Sequence, residues 1–316
     1  MMRRADVGQL VLVGAIWGAS YLFIRIAAPA FGPVAMAGAR AILAALLMLP
    51  ILLWRGVAGE TLRHWKGIAL VGVTNVALPF ILFNFAALAI PAGLSSILSS
   101  TTPLFAALIG AIWLGDRLTV QRMAGLAIGF AGVVLLVADK VHLGGGALWQ
   151  TLAAAFACLA ATLLYGFTGN FIKRHMAQVP PLAIAGGSQV AAAVLLALPM
   201  AATWPETTPG LEAWTALVAL CALCTSFVYV LFYDLIARLG ASRAMGSLFL
   251  IPAFGVLWGG LFLGEPFTLR MALCCGVILA GCALTMGLLK LPAWPRGPAP
   301  GEDEAARKRW TIVRLR

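Results

Sequence analysis

PLFAALIGAIWLGDRLT, residues 103–119, returns 149 positions later as PAFGVLWGGLFLGEPFT, residues 252–268. Pro103, Gly110, Leu114, Gly115 and Thr119 find their partners in Pro252, Gly259, Leu263, Gly264 and Thr268. Outward from this motif the correspondence runs over residues 10–138 and 147–289. Upstream its offset is 148, where Gly18, Phe23, Pro33 and Gly38 match Gly166, Phe171, Pro181 and Gly186; from Pro50 and Trp65 onward, against Pro199 and Trp214, it is 149. Each copy holds five apolar spans. A unit with an odd number of membrane crossings, followed by its own copy, must enter the bilayer upside down relative to that copy. Inverted repeats of this kind are a transporter architecture.

Composition places the chain in lipid. Hydrophobic residues make up 62% of it, charged residues 10%, and the mean hydropathy is +0.98. About 20 apolar residues cross a hydrocarbon core of about 30 Å as a helix. Candidate spans lie near residues 10–26, 34–54, 68–90, 92–114, 123–138, 147–172, 182–204, 214–235, 244–263 and 267–289. Backbone groups in lipid must bond within their own segment, so helices are the only reasonable reading. The expected fold is an all-α membrane protein of ten transmembrane helices. It divides into residues 1–140, a first five-helix repeat, residues 141–289, its inverted copy, and a basic cytoplasmic tail at 290–316.

The formal charge of +11 is accounted for by topology. Of the 22 lysines and arginines, only Lys140 and Arg270 fall in external segments when the amino terminus is inside, and Arg25 and Arg40 lie inside or at the edge of spans. The positive-inside rule therefore puts both termini in the cytoplasm of a cell inner membrane. The basic tail suits anionic lipid better than nucleic acid, which is not expected as a partner. All six cysteines lie in apolar spans, without a metal-binding spacing. No metal or cofactor is expected. An enzyme would need a nucleophile, an acid/base pair or a metal cluster, and no His, Asp or Glu pair lies close within the spans. Small residues four apart, such as Gly14 with Gly18, serve internal packing as readily as a dimer, leaving monomer or weak homodimer.

The polar residues within spans are candidates for solute contact. Pro103 and Pro252 break the fourth and ninth spans at equivalent positions, each removing a backbone hydrogen bond to the residue four back, Ser99 or Leu248. Paired breaks point to a site at the bilayer midplane and to a hinge; the alternative is a packing kink. Ser99 and Ser100, in the polar run before Pro103, face no polar counterpart, since 248–251 is wholly apolar. Arg40 lies roughly 10 Å deep, seven residues beyond Pro33 at about 1.5 Å each. A cation there is a functional hypothesis by default, against the alternative of a snorkelling or bracing side chain. Trp17 and Tyr165 are repeat equivalents, each followed by glycine, and could clamp a flat solute from both sides. Ser20, Tyr21, Asn75, Tyr229 and Ser247 complete the candidate substrate-binding set. For Thr74, Asn84, Thr168, Asn170, Gln189, Thr225, Ser226, Tyr233 and Trp258, interhelical hydrogen bonding is the competing role.

Trp17-Gly18, Arg40, Pro103 followed by Leu114-Gly115-Asp116-Arg117-Leu118-Thr119, and Pro252 followed by Leu263-Gly264-Glu265-Pro266 resemble the EamA-type branch of the drug/metabolite transporter superfamily. The likeness covers both copies to about Leu289. Two departures stand out: Asp116 replaces the Glu common in the family, and Ser188 stands at the position equivalent to Arg40. The resemblance implies a basket of ten helices around a central cavity lined mainly by spans one to four and six to nine. It also implies small-metabolite substrates such as amino acids, commonly exported; with the Trp and Tyr candidates, aromatic amino acids fit, and Arg40 could attract their carboxylate.

Overall fold

The computed structural model of the chain describes residues 4–143, 148–240 and 244–289, and the expected tail at 290–316 lies outside them. Among the described residues there is no strand, and nine helices are long and apolar enough to cross a membrane. They are α1 (Arg4–Phe31), α2 (Pro33–Trp54), α3 (Trp65–Ala86), α4 (Ala92–Trp113), α5 (Val120–Leu143), α6 (Leu148–His175), α7 (Pro181–Ala202), α8 (Leu211–Ile236, continuing to Leu239) and α9 (Met245–Leu263). A further apolar helix, α10 (Leu269–Thr285), has 17 residues, about 25 Å at 1.5 Å each. It is shorter than its apolar stretch for a local reason. The Thr268 hydroxyl caps the first turn by accepting the Met271 N–H at 3.2 Å, and Gly287, at φ 74°, ends the other side.

Four helices are interrupted, in two equivalent pairs. In α4 the helix Ala92–Ser99 stops and restarts at Thr102, with Pro103 in the first turn of the second piece. In α9 a tight 3₁₀ stretch, Met245–Leu250, precedes Ile251–Leu263, again with proline in its first turn. Each proline thus begins a new helical piece, where its missing N–H costs nothing, rather than kinking a continuous one. The carbonyls expected to be stranded have new partners: Ser99 accepts the Thr102 hydroxyl at 2.8 Å, and Leu248 accepts the Ile251 N–H. In α3 and α8 the chain widens into single π turns, Gly72–Ala77 and Ala222–Phe227, each placed mid-helix.

Small residues set the packing. In lipid no hydrophobic force separates helix from tail, so close backbone approach drives association. α1 packs on α8 and α9 as α6 packs on α3 and α4, while α2 pairs with α7 and α5 with α10. The contacts repeat with the sequence. A Cβ added to Gly18 would sit 2.6 Å from Phe254 Cβ, and one added to Gly166 would sit 3.1 Å from Phe105 Cβ. Likewise Gly38 receives Met200 of α7, and Gly186 receives Leu52 of α2. The outward faces are apolar: Val194 is 75% exposed and Leu198 79%, a surface that only lipid tolerates over a whole molecule.

The turns after α4 and α9 show what the Leu-Gly-acid motif builds. Gly115 and Gly264 take left-handed φ of 71° and 64°, letting the next N–H, of Asp116 or Glu265, return to the Gly110 or Gly259 carbonyl at 3.2 Å. Glu265 then reaches the start of α4 and accepts the Ala92 and Gly93 N–H groups at 2.7 and 3.1 Å, satisfying donors that a helix start leaves open. Asp116 is one methylene shorter and pairs with Lys173 at 3.2 Å instead.

Candidate functional site

The interrupted helices and π turns converge on a cavity of about 270 Å³ in the middle of the bundle. Its lining includes Trp17, Ser20 and Tyr21 of α1, Arg40 of α2, Asn75, Phe80 and Phe83 of α3, and Ser99, Ser100, Thr102 and Pro103 of α4. The second copy contributes Tyr165 of α6, Cys224, Thr225 and Tyr229 of α8, Leu248, Phe249 and Ile251 of α9, and Leu279 of α10.

Nine of the ten substrate-binding candidates meet on this lining. The exception is Ser247. It is fully buried, its hydroxyl bonded to the Ala244 carbonyl at 2.8 Å, and its repeat equivalent Leu98 is equally buried. In this structure the position lies in the packed core, off the cavity lining. Of the two hinge candidates, Pro103 lies on the lining and Pro252 is buried beside it, its carbonyl 3.5 Å from the Ser96 hydroxyl.

Arg40 is the charged group of the cavity. Its side chain is buried with the residue 7% exposed, and its guanidinium stacks 3.6 Å above the centre of the Phe80 ring. One long hydrogen bond, 3.4 Å, runs from Nη2 to the Thr225 hydroxyl, and Nε has no protein partner. No carboxylate among the described residues forms an ion pair with it. Among the described residues its guanidinium bonds no backbone carbonyl, and its contacts run to Phe80 of α3 and Thr225 of α8. Stacking of a desolvated guanidinium on an aromatic face stabilises it by about 2 kcal/mol, well short of what a buried cation needs. Asp234, near the end of the α8 span, is tied to Arg238 at 2.8 Å and to Gln9 at 2.9 Å at the end of the bundle that carries α1's first turns, where Arg238 also meets Asp6 at 2.6 Å.

Aromatic side chains frame the cation. Trp17 packs edge-on against Phe232 at 4.8 Å and Tyr229 at 6.2 Å, and Tyr165 stacks on Phe83 at 6.0 Å. Trp17 and Tyr165 are repeat equivalents, as are Phe232 and Phe83, so each copy supplies one half of each aromatic pair. Several other polar candidates bond between helices: Thr168 to Thr74 at 2.7 Å, Asn170 to the Ala106 carbonyl at 2.8 Å, Asn84 to the Pro33 carbonyl at 3.0 Å, and Trp258 Nε1 to the Ala15 carbonyl at 3.0 Å. The side chain of Tyr233 lies outside the described residues. Sequence reasoning did not find Phe80, whose role appears only once α3 lies against α2.

Apolar helices of spanning length enclose a largely apolar cavity carrying aromatic and polar side chains, the architecture of a multi-pass membrane protein with an internal solute-sized space. The chain belongs to the EamA-like transporter family, whose model matches it twice, at residues 7–138 and 152–287. Relatives are similar over nearly their full length. An "uncharacterized transporter" of Archaeoglobus fulgidus is 26% identical over 279 residues, 86% of this chain and 95% of the relative. A "probable terminal-alkyne amino-acid exporter" of Streptantibioticus cattleyicolor is 28% identical over 260 residues, 82% and 86%. The "uncharacterized inner membrane transporter YedA" of Escherichia coli K12 is 29% identical over 292 residues, 91% and 93%. A chain of known crystal structure, 21% identical, shares the fold with a TM-score of 0.63 over 91% of this chain and 98% of its own. Family and relatives are named as transporters rather than enzymes.

Proposed function

We propose that this transporter moves a small metabolite, an amino acid or related solute, out of the cell across the inner membrane by alternating access. Two inverted five-helix halves, residues 1–140 and 141–289, would rock about the interrupted helices α4 and α9, with α10 as the tenth crossing and both termini cytoplasmic. The double family match and the reciprocal helix pairing, α1 on α9 as α6 on α4, support the halves. The distribution of lysine and arginine supports the orientation.

The observation that carries the reading is Arg40: a buried cation, without a carboxylate partner among the described residues, on the wall of a cavity in the middle of the bundle framed by aromatic rings. Such a group is completed by an anionic solute. The relative named as an amino-acid exporter points the same way. With Asp234 engaged at the bundle's end, the lining offers no carboxylate for a proton relay, which favours uniport or exchange. The solute site accordingly comprises Trp17, Ser20, Tyr21, Arg40, Asn75, Ser99, Ser100, Tyr165 and Tyr229. Reconstituted into proteoliposomes, the protein is expected to carry labelled phenylalanine, tyrosine or tryptophan faster than empty liposomes leak it; no excess flux for any of the three removes the aromatic amino-acid reading.

A further inference from the structure

Four consecutive hydroxyl residues close the break in α4, and each hydroxyl donates to the carbonyl three residues back. Ser99 donates to Ser96 at 2.7 Å, Ser100 to Ile97 at 2.6 Å, Thr101 to Leu98 at 2.7 Å and Thr102 to Ser99 at 2.8 Å. A carbonyl oxygen can only accept, so at Ser100 and Thr102 the hydroxyl spends its one proton in this bond, whereas the Thr101 hydroxyl has a second acceptor in Thr162. Two lone pairs remain on every hydroxyl oxygen. Thr101 is buried against Thr162 of α6 at 3.2 Å, whereas Ser99, Ser100 and Thr102 line the cavity. Toward the solute Ser100 and Thr102 therefore present acceptor oxygens, while the Ser99 hydroxyl is also hydrogen-bonded to Tyr21.

The equivalent stretch of α9 gives the cavity Leu248, Phe249 and Ile251, none with a polar side-chain atom. The lining is polarised as a result. Arg40 offers only donors, Ser100 and Thr102 of the α4 break offer acceptors, and an apolar wall lies on α9. A carboxylate gains nothing at the acceptor pole, because it too only accepts. A primary ammonium brings three N–H donors and no acceptor, the complement of these oxygens. Arg40 alone would serve any organic anion; the second pole selects among anions.

We propose that Ser100 and Thr102, with Ser99 beside them, form an amino-group subsite built from hydroxyl oxygens, which holds the ammonium of an amino acid whose carboxylate faces Arg40. This rests on the amino-acid reading above. The subsite carries no carboxylate, so it holds the ammonium by hydrogen bonds to neutral oxygens and leaves the charge pairing to Arg40.

The test compares L-phenylalanine with 3-phenylpropionate, the same molecule without its amino group, by calorimetric titration of the full-length protein in nanodiscs. Wild-type protein is expected to bind phenylalanine about tenfold or more tightly than 3-phenylpropionate, the effect of a hydrogen bond to a charged group. In the Ser100→Ala/Thr102→Val variant the preference should fall to within about twofold, because phenylalanine weakens while 3-phenylpropionate does not. Ser100→Cys gives the same comparison should the double variant fail to fold. Equal binding of the two compounds by wild type, or an equal loss of both in the variant, overturns the subsite and leaves the Arg40 reading standing. Binding of neither compound by wild type removes the subsite as an aromatic amino-acid site together with the aromatic amino-acid reading.

Discussion

Arg40→Gln is expected to lower phenylalanine flux through reconstituted protein about 100-fold, the equivalent of roughly 2.7 kcal/mol of lost solute contact, within the range for hydrogen bonds to charged groups. The thermal midpoint should stay put or rise. That sign matters, because a bracing arginine and a solute-binding one both lose activity on mutation but differ in stability. Breaking a buried ion pair is strongly destabilising, since one charge is left uncompensated. Arg40 has no such partner, and its neutral replacement relieves the desolvation of a cation held only by Phe80 and a 3.4 Å bond to Thr225. Arg40→Lys keeps the charge but loses the planar fork and the ring stack, so an intermediate loss of about tenfold is expected. Flux and thermal unfolding measured on the same preparations check both halves; a large fall in thermal midpoint for Arg40→Gln would make the residue a brace.

Gly166→Leu is the second large effect. A Cβ at Gly166 would lie 2.7 Å from the Ala106 nitrogen and 3.0 Å from the Phe105 carbonyl carbon, both backbone atoms of α4's second piece. Backbone cannot turn aside as a side chain can, so the two helices must separate. Overpacking of this kind costs about 3 kcal/mol or more, and the cavity's aromatic pairs would part with the helices. Loss of folded, monodisperse protein after extraction is expected. Gly169→Leu, three residues along the same helix, is the control: it has no atom within 4 Å of an added Cβ and is exposed, so a leucine there meets lipid and should be tolerated. If both variants behave alike, the close approach of α6 and α4 is not what holds the halves together.

The helices, their repeat and the breaks were legible in the sequence because each rests on a local pattern. Twenty apolar residues specify a spanning helix whatever surrounds them. A proline near the middle of such a run, as at Pro103 and Pro252, marks a break, whereas Pro50 and Pro199 near the ends of α2 and α7 leave those helices continuous. Glu265 and Asp116 show how a repeat motif reports its own geometry: in both the glycine supplies the left-handed turn, and the acid after it binds a neighbouring element, Glu265 the start of α4 and Asp116 Lys173 of α6. Much of the cavity lining could be read as well, since polar side chains in lipid must turn inward. Inward, however, is either core or cavity, and residue type does not separate the two. Ser247 was assigned to the cavity and lies in the core; its repeat partner Leu98 carried that information.

Two features escaped for a different reason. The π turns of α3 and α8 insert no proline or glycine pair that would announce them, yet they hold Asn75, Cys224 and Thr225 at the lining. Phe80 became visible as the ring beneath Arg40 only through the packing of α2 on α3, a long-range contact with no sequence signature. The polar run Ser99–Thr102 was noticed for its polarity. Its pattern of hydroxyls donating to carbonyls three residues back appears only in the broken helix.

The central claim is that one cavity, between the two copies, is open to the two faces of the membrane in turn. A cysteine at Leu248 reports on it most directly, because Leu248 lines the cavity on its apolar wall and leaves both poles intact. With the six native cysteines replaced, labelling by a membrane-impermeant thiol reagent is measured from each side of sealed vesicles, with and without saturating phenylalanine on one side. The predicted result is access that changes sides, the labelling rate from one face falling as that from the other rises; equal access from both faces, unmoved by solute, would contradict it.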